Sequence, residues 1–346
     1  MDLVKDSIKD LKKYNTSKIQ YKIKLDANEG SGLLFQDICK DFSDFNMNLY
    51  PDNEACNLKE EIKNYLGVDP SNIVVGNGSS EMIDIVIKTF ADKDEFVLSF
   101  TPTFSMYAVY SKMHSAKFVG VECNEDFSVN IDKLIEKSKE IKPKIIFLCN
   151  PNNPTGYLLT KTDIKKILDN TNSIVVVDEA YMEFAEECMV DEINNYNNLV
   201  VLRTFSKAFS LAAIRVGYMI ANESIINIIE KVRSPYNLNT ISQFIATNAL
   251  KNKDRVFSYI ENIKIERDYI YRELNKVGIK AYKSYGNFIF FSCNVDNLFE
   301  KLANRGIVIR EFSKELKYYY RVTVGEKIEN EEFLNTLKEI ILNENS

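Results

Sequence analysis

The sequence predicts an α/β fold in which a mostly parallel sheet is sandwiched by helices and a smaller α+β domain follows. Between about residues 57 and 220, short β-branched runs alternate with amphipathic stretches, a pattern typical of parallel sheets covered on both faces. After Pro235 strands and helices are mixed, and one helix is long and charged. A chain of 346 residues also exceeds the usual size of one core, which favours a large domain and a smaller one.

The strands predicted in the first part of the chain are apolar runs bounded by turn residues. The stretches between them have apolar residues three or four positions apart, so that Ile131, Leu134 and Ile135 share one helix face. The predicted strands are Asn72–Val75, Glu95–Leu98, Lys117–Val121, Lys144–Leu148, Ser173–Val177, Leu199–Leu202 and Val216–Ala221, and the predicted helices are Ser79–Ala91, Phe104–Met113, Ile131–Glu140 and Lys161–Asp169.

The same criteria predict the elements of the smaller domain. We expect residues 45–235 to form a large ligand-binding domain, and residues 1–44 to join residues 236–346 because an N-terminal segment of this length is too short to fold alone. The predicted helices after Pro235 are Ile241–Leu250, Val256–Val277, Val295–Arg305 and Glu331–Leu342, and the predicted strands are Phe288–Ser292, Ile307–Ile309 and Tyr319–Val324.

The composition excludes several classes of function. The chain is 45% hydrophobic and 27% charged, as is usual for a globular protein. Its net charge of −6 disfavours a general role on nucleic acid or on an anionic membrane. No run of about 18 apolar residues predicts a transmembrane helix, and residues 1–14 do not resemble a secretory signal. We therefore expect a cytoplasmic protein, in which any affinity for anionic ligands comes from a local pocket.

Cysteine and histidine usage narrows the chemistry further. The six cysteines form no Cys-x-x-Cys pair, which argues against a metal knuckle or a disulfide framework and indicates a reducing compartment. The single histidine, His114, excludes a multi-histidine metal site and argues against a Ser/His/Asp triad. We expect no metal.

Polar clusters follow three of the predicted strands. Asp178 and Tyr181 come after one strand, Asn153 lies in the turn after the preceding strand, and Lys207 follows the next one. Taken singly, each has a plainer interpretation as a helix cap, a turn or a solvated surface lysine. Because the C-terminal ends of parallel strands open onto one crevice, however, the three clusters can converge on one ligand.

The chain resembles the fold-type-I aminotransferases, which use pyridoxal phosphate, and within them the histidinol-phosphate aminotransferase group. The matching motifs run in family order over essentially the whole length: Leu25-Asp26-Ala27-Asn28-Glu29, Tyr50-Pro51, Gly76-Asn77-Gly78-Ser79-Ser80-Glu81, Pro102-Thr103-Phe104, Pro151-Asn152-Asn153-Pro154-Thr155-Gly156, Asp178-Glu179-Ala180-Tyr181, Thr204-Phe205-Ser206-Lys207-Ala208-Phe209, Ile214-Arg215-Val216-Gly217-Tyr218 and Arg321-Val322-Thr323-Val324-Gly325.

The resemblance implies a role for each polar cluster. Lys207 is expected to hold pyridoxal 5'-phosphate as a Schiff base, and its freed amine is expected to move a proton at the substrate Cα. Asp178 is expected beside the pyridine nitrogen, where a carboxylate favours the protonated ring. Asn153 and Tyr181 are expected to hydrogen-bond the phenolic oxygen, and Phe104 to stack on the ring.

The resemblance also implies a cradle for the cofactor phosphate. The turn Gly78–Ser80 opens a predicted helix, whose first N–H groups suit an anion, although such a turn alone is equally a helix cap. Arg215 adds a charge that can contact two oxygens. Tyr50 is expected to reach the cofactor of a neighbouring subunit, which makes a homodimer part of the site. The expected phosphate ligands are Ser79, Ser80, Thr204, Ser206, Arg215 and Tyr50.

Substrate binding is expected at the smaller domain. In relatives the arginine that matches Arg321 binds the acidic group of the substrate, and a guanidinium accepts carboxylate and phosphate alike. Arg310 is a second candidate for a substrate phosphate, and Tyr14, Asn28 and Asn287 are expected to add contacts. The implied reaction exchanges an amino group between glutamate/2-oxoglutarate and histidinol phosphate/imidazole-acetol phosphate.

Several alternatives stay open. Ser80 and the segment Gly30-Ser31-Gly32 depart from the residues common in relatives, which bears on specificity. A threonine-phosphate decarboxylase or an aromatic amino-acid aminotransferase would use the same ring chemistry. A non-catalytic relative, such as a regulator or scaffold, would keep only the fold. The joint presence of Lys207, Asp178 and Arg215 argues against that last alternative.

Overall fold

A computed structural model describes residues 3–12, 19–32, 34–35, 37–38, 45–312 and 316–344. The strands are β1 Ile23–Leu25, β2 Ile73–Gly76, β3 Phe96–Thr101, β4 Lys117–Glu122, β5 Ile145–Cys149, β6 Ile174–Asp178, β7 Leu199–Thr204, β8 Gly217–Ala221, β9 Lys280–Ala281, β10 Phe288–Ser292, β11 Ile307–Glu311 and β12 Tyr319–Thr323. The α-helices are α1 Asp6–Lys9, α2 Cys56–Leu66, α3 Ser79–Phe90, α4 Met106–Met113, α5 Ile131–Ile141, α6 Lys161–Leu168, α7 Glu223–Ile229, α8 Thr240–Lys251, α9 Lys253–Lys276, α10 Leu298–Ala303 and α11 Lys327–Glu344.

The large sheet has seven strands in the order β2-β8-β7-β6-β5-β3-β4. The strands from β7 to β4 pair in parallel, whereas β8 is antiparallel to both β7 and β2. Every residue of β5 is buried, as expected of a strand that helices cover on both faces. The predicted mostly parallel sheet sandwiched by helices is therefore confirmed.

The order of the central strands positions the crevice. β5, β6 and β7 are neighbours and parallel, so their C-terminal ends lie at the same edge of the sheet. Cys149 at the end of β5 pairs in register with Asp178 at the end of β6, and Asp178 pairs with Leu202 on β7. The turns that carry Asn153 and Lys207 thus begin beside Asp178.

The small sheet has five strands in the order β1-β11-β12-β10-β9. β1 pairs in parallel with β11, and the other pairs are antiparallel. The N-terminal helix α1 instead contacts α4 beside the large sheet, where Ser115 donates a hydrogen bond to Ser7 Oγ at 3.1 Å. The division at residues 45–235 stays a prediction.

An aromatic cluster joins the two sheets. Phe127, in the loop after β4, has a left-handed backbone φ of 64° and is almost fully buried. Its ring lies edge-on to Tyr282, Phe290 and Tyr319 of the small sheet, with centroid distances of 4.9, 5.3 and 5.5 Å. Edge-on aromatic pairs are favourable beyond the area they bury, so this cluster stabilises the contact between the loop after β4 and the small sheet.

Four helices differ clearly from the prediction. The helices α1, α2 and α7 were not predicted, and neither were the strands β1 and β9. The helix predicted over Val295–Arg305 is shorter, because Asn297 takes a left-handed φ of 54° and α10 begins only after it. Helix and strand ends that depend on the backbone conformation of a single residue are the hardest to predict from a sequence.

Two further facts concern the described part of the chain. No helix in it combines the length and apolar character needed to cross a membrane. Its cysteines, which are Cys56, Cys123, Cys149, Cys188 and Cys293, form no disulfide.

Candidate active site

Lys207 lies in the turn after β7, and its amine reaches into the crevice. Nζ donates a hydrogen bond to the Ala27 carbonyl at 2.8 Å and lies 5.7 Å from the centre of the Tyr181 ring. Burial lowers the pKa of this amine to about 7, and the charge of Arg321 acts in the same direction. A large share of the amine is therefore unprotonated near neutral pH, which is the form that attacks a carbonyl.

Asp178 ends β6 and is buried. The Tyr107 hydroxyl donates to Asp178 Oδ2 at 2.7 Å, and the Ala180 N–H donates to Oδ1 at 3.2 Å. Burial raises the pKa of the carboxyl to about 6, whereas these hydrogen bonds and the charge of Lys207 act in the opposite direction. The lysine is therefore close enough to stabilise the ionised carboxylate.

A helix N-terminus and a guanidinium meet at Gly78. Gly78 precedes α3 with a φ of 85°, and a Cβ added there would lie 2.6 Å from Arg215 Nη2. Gly217 on β8 approaches the helix start equally closely, since its Cβ would lie 2.2 Å from the Ser79 nitrogen. The N–H groups of Ser79 and Ser80 belong to the first helical turn, which has no intrahelical acceptor for them. Only glycine at both positions permits this close packing.

Hydroxyl groups complete this cluster. Ser206 Oγ accepts hydrogen bonds from Arg215 Nη1 at 3.4 Å and from Thr204 Oγ1 at 3.1 Å. Burial raises the pKa of Tyr110 on α4, a residue that the sequence did not single out, and the neighbouring Ser80 acts in the opposite direction. We call the cluster of Ser79, Ser80, Thr204, Ser206 and Arg215 the anion cradle, because it offers N–H, O–H and guanidinium donors together.

Asn153 and Tyr181 are tied to the small sheet and the N-terminal segment. Arg321 Nη1 donates to Asn153 Oδ1 at 2.5 Å. Asn28 Nδ2 donates to the Tyr181 hydroxyl at 3.0 Å, and the Tyr181 ring packs edge-on against Phe288 at 5.1 Å. Parts of the chain far apart in sequence therefore meet over the crevice.

Asn28 and Asn287 form a buried pair. The Asn28 N–H donates to Thr323 Oγ1 at 2.9 Å, and the Asn28 carbonyl accepts from Asn287 Nδ2 at 3.2 Å. Neither asparagine has exposed surface. Asn287 Oδ1 has no hydrogen-bond partner among the residues that the structure describes. A buried acceptor of this kind can take a donor from a ligand or from water.

Arg310 and Arg321 are directly opposite each other across β11 and β12. The side chains of directly paired residues share one face of a sheet, and like charges there are unfavourable. Arg321 is buried with its guanidinium 5.4 Å from the Phe288 ring centre, whereas Arg310 is exposed. The pair therefore favours an anion with more than one charge, or two anionic groups, on this face.

Buried charges support the turn that carries the lysine. Arg203 near the end of β7 contacts Glu179 at 2.7 Å and Glu183 at 2.9 Å, and all three side chains are nearly inaccessible. Glu179 also accepts the Met189 N–H at 2.7 Å. These contacts join the turn after β6 to the end of β7, so they fix Asp178 relative to Lys207.

Three further residues were predicted for the site, namely Phe104, Tyr50 and Tyr14. Phe104 is half-buried and packs edge-on against Tyr107, with centroids 5.6 Å apart. Tyr50 is 80% exposed and stacks on Tyr236 at 4.6 Å. Tyr14 lies outside the described residues.

Sequence reasoning missed Tyr107 and Tyr110, although a signal for them existed. Phe104, Tyr107 and Tyr110 recur every third position of the predicted helix Phe104–Met113. That spacing puts aromatic side chains on nearly one face, and the face toward the sheet also faces Asp178.

The residues present fit pyridoxal phosphate. The anion cradle suits a phosphate, a buried carboxylate suits a protonated ring nitrogen, and an unprotonated amine suits an aldehyde. Asp178 has little exposed surface, and Gly78 leaves no room for a side chain between the helix start and Arg215.

Comparisons with known proteins agree with this chemistry. The model of the family aminotransferase class I and II matches residues 20–337. A histidinol-phosphate aminotransferase of Clostridium novyi is 42% identical over 97% of this chain and 97% of its own. The crystal structure of the histidinol-phosphate aminotransferase from Clostridium acetobutylicum matches with a TM-score of 0.84 and 28% identity, covering 93% of this chain and 99% of that chain.

A second solved structure shows the same fold. The histidinol-phosphate aminotransferase from Sinorhizobium meliloti, solved in complex with pyridoxal 5'-phosphate, matches with a TM-score of 0.86 at 22% identity, over 94% of this chain and 92% of that one. The family match spans most of the sequence, and the Clostridium novyi relative is similar from end to end. The chain therefore belongs to the class I and II aminotransferases, in the histidinol-phosphate aminotransferase group.

Proposed function

We propose that the protein uses pyridoxal phosphate on Lys207 to move an amino group between glutamate/2-oxoglutarate and histidinol phosphate/imidazole-acetol phosphate. The observation that carries the proposal is the opposed pair Arg310 and Arg321, because both amino donors bring an oxyanion in addition to the reacting carbon. The names of the full-length relatives support the same substrate.

The residues around the crevice have distinct roles in this proposal. When bound, pyridoxal phosphate supplies an electron-accepting ring that stabilises negative charge at a substrate carbon. Lys207 Nζ would hold the cofactor, and its freed amine would accept the proton that leaves the substrate Cα. Asp178 holds a proton at the ring nitrogen, and Asn153 and Tyr181 hydrogen-bond the ring oxygen. The phosphate is bound by the anion cradle, which consists of Ser79, Ser80, Thr204, Ser206 and Arg215.

Substrate recognition falls to the small sheet and the N-terminal segment. Arg321 already contacts Asn153 and the Asp26 carbonyl, so an anion bound there lies next to the ring-oxygen site. Arg310 is exposed on the same face and binds the more distant phosphate or carboxylate. A carboxylate and a phosphate can replace each other against guanidinium groups, which lets one pocket serve both half-reactions.

The proposal includes a cytoplasmic homodimer. Met47, Leu49, Tyr50 and Tyr236 are 62, 62, 80 and 46% exposed, and Tyr50 stacks on Tyr236. Exposed apolar groups that lie together favour a partner surface. Tyr50 would then contribute to the cofactor phosphate site of the second subunit. The absence of disulfides among the described cysteines is consistent with a reducing compartment.

Single-turnover absorbance with the purified protein tests this function. We expect glutamate and histidinol phosphate each to convert the bound cofactor to its aminated form, with release of 2-oxoglutarate and imidazole-acetol phosphate. Phenylalanine, tyrosine and threonine phosphate should react far more slowly. Carbon dioxide release from threonine phosphate would instead identify a decarboxylase, and a colourless protein that binds no cofactor would identify a non-catalytic relative.

Arginine variants test the substrate site. Removing charge-assisted hydrogen bonds at Arg310→Gln or Arg321→Gln should lower kcat/KM for histidinol phosphate by about 10- to 100-fold. Arg305→Gln is the matched control, because Arg305 is an exposed arginine of the same domain that contacts Thr336 and Glu339 instead. Equal losses in all three variants would contradict a specific role for the opposed pair.

A further inference from the structure

The Tyr107 hydroxyl forms a hydrogen bond with the Asp178 carboxylate. Tyr107 is on α4, has no exposed surface and donates its hydroxyl proton to Asp178 Oδ2 at 2.7 Å. The bond from the Ala180 N–H to Oδ1 is longer, at 3.2 Å. The phenol is therefore the closest hydrogen-bond donor that the structure records for this carboxylate among the described residues.

The position of the phenol is fixed by packing. Its ring stacks on Phe147 of β5 with centroids 4.5 Å apart and an interplanar angle of 7°, and it lies edge-on to Phe104. The Tyr107 carbonyl accepts the Ser111 hydroxyl at 2.7 Å, which anchors the helical turn. A ring held between aromatic neighbours keeps one orientation, so the hydroxyl oxygen stays within hydrogen-bond distance of Asp178.

The phenol also stays protonated. Burial raises its pKa well above the ordinary value, and the Asp178 charge raises it further. The hydroxyl is therefore a permanent donor to Asp178 over the whole pH range in which the carboxylate titrates. Cys149, the register partner of Asp178 on β5, lies in the same buried cluster.

We infer that Tyr107 is a positioning residue for the reaction, whose hydroxyl orients the Asp178 carboxylate and keeps it ionised. This inference rests on the proposed role of Asp178 at the ring nitrogen. A buried carboxylate without that donor would be protonated over more of the neutral range, because a hydrogen bond stabilises its charged form. A protonated Asp178 would no longer favour a proton at the ring nitrogen.

The first test measures the carboxylate itself in the full chain without cofactor. Carbon-13 resonances of labelled aspartate are followed against pH, and Asp178→Asn assigns the Asp178 signal. The wild-type midpoint is expected near pH 6, in line with the buried carboxyl. Tyr107→Phe, which removes one oxygen atom, should raise it by about one to two units, the usual strength of a hydrogen bond to a charged group.

The second test measures the affinity for pyridoxal phosphate against pH. In Tyr107→Phe the loss of affinity on acidification should begin about one to two pH units higher than in the wild type. Tyr218→Phe is the matched control, because Tyr218 is an equally buried phenol that interacts with Arg203 rather than Asp178. This control should keep the wild-type profile, and a shift of equal size in it would overturn the inference.

Two further outcomes separate the possible failures. If Tyr107→Phe proves unstable, 3-fluorotyrosine placed at position 107 keeps the packing and makes a stronger donor, and the Asp178 midpoint should then fall. An unmoved midpoint in the folded variant overturns the inference about Tyr107 alone. An Asp178→Asn protein that binds pyridoxal phosphate like the wild type overturns the proposed role of Asp178 instead.

Discussion

At the scale of single residues, burial shifts the pKa values of a lysine and an aspartate of the site in opposite directions. Burial disfavours charge, so it lowers the pKa of the Lys207 amine to about 7 and raises that of the Asp178 carboxyl to about 6. Neighbouring groups then act on each pKa. The charge of Arg321 lowers the pKa of Lys207 further, and the hydrogen bond from Tyr107 lowers the pKa of Asp178, which favours the ionised carboxylate. Near neutral pH the crevice thus holds a nucleophilic amine and an anionic carboxylate.

The lowered pKa of Lys207 makes the stability of the cofactor-free protein depend on pH. Between about pH 7 and 10 the unfolded chain binds a proton at this lysine that the folded chain does not, so stability from this group rises with pH. In Lys207→Met that contribution is absent. The difference in unfolding free energy between variant and wild type should therefore change with pH, by less than about 1.4 kcal/mol per unit, the limit for one proton.

Urea unfolding of both proteins at several alkaline pH values measures this difference. Other titrating groups are common to the two chains and cancel. A difference that stays constant from neutral to alkaline pH would show that the Lys207 amine is not desolvated in the folded protein.

At the scale of elements, the site is built where parallel strands end and a helix begins. The sequence predicted β5, β6 and β7, and their order along the chain was enough to place Asn153, Asp178 and Lys207 at one edge. It also predicted α3 and the glycine turn before it. These features are visible because strand ends and helix starts have local signatures.

Long-range contacts were not predictable in the same way. The bond from Lys207 to the Ala27 carbonyl joins residues 180 positions apart, and the bond from Arg321 to Asn153 spans 168. The antiparallel direction of β8 and the left-handed Asn297 likewise depend on tertiary packing. The chemistry of the candidate site could thus be predicted from motifs, whereas the groups that orient Asp178 and Lys207 could not.

The close approach at the start of α3 gives a prediction about Gly78. In Gly78→Ala the new methyl group meets Arg215, and the positive φ adds strain. We expect the affinity for pyridoxal phosphate to fall at least about tenfold, since displacing a guanidinium removes a charge-assisted contact of about 1.5 kcal/mol or more. Equilibrium titration of the cofactor measures the loss.

Gly67→Ala is the matched control for this substitution. Gly67 also has a positive φ, of 73°, but an added Cβ would meet nothing within 4 Å. The control should lose a similar amount of stability, about 1 kcal/mol, and keep its cofactor affinity. If both variants bound the cofactor equally well, the packing of Arg215 on Gly78 would be irrelevant to the anion cradle.

At the scale of the whole molecule, the crevice is closed by three parts of the chain. The large sheet supplies Lys207 and Asp178, the small sheet supplies Arg321, and the segment after β1 supplies Asn28. The aromatic cluster at Phe127 fixes the two sheets against each other. A second subunit would be the fourth part.

Mixed dimers test whether Tyr50 acts across a subunit interface. Lys207→Ala and Tyr50→Ala proteins should each be weakly active alone. After subunit exchange, about half of the dimers are mixed, and each contains one site with both residues intact, so about a quarter of the wild-type activity should return. Recovery is measured after brief partial denaturation and refolding of the mixture. No recovery in a mixture that does exchange subunits would place Tyr50 outside its partner's site.

The pairing of β1 with β11 has a consequence for how the protein is made. Residues 23–25 are synthesised long before their pairing partners, residues 307–309. Contacts of such sequence separation form late, because a long loop must close before they add any stability. We therefore expect the segment that covers Lys207 to fold late. A nascent polypeptide should be able to form its seven-stranded sheet well before it can retain its cofactor.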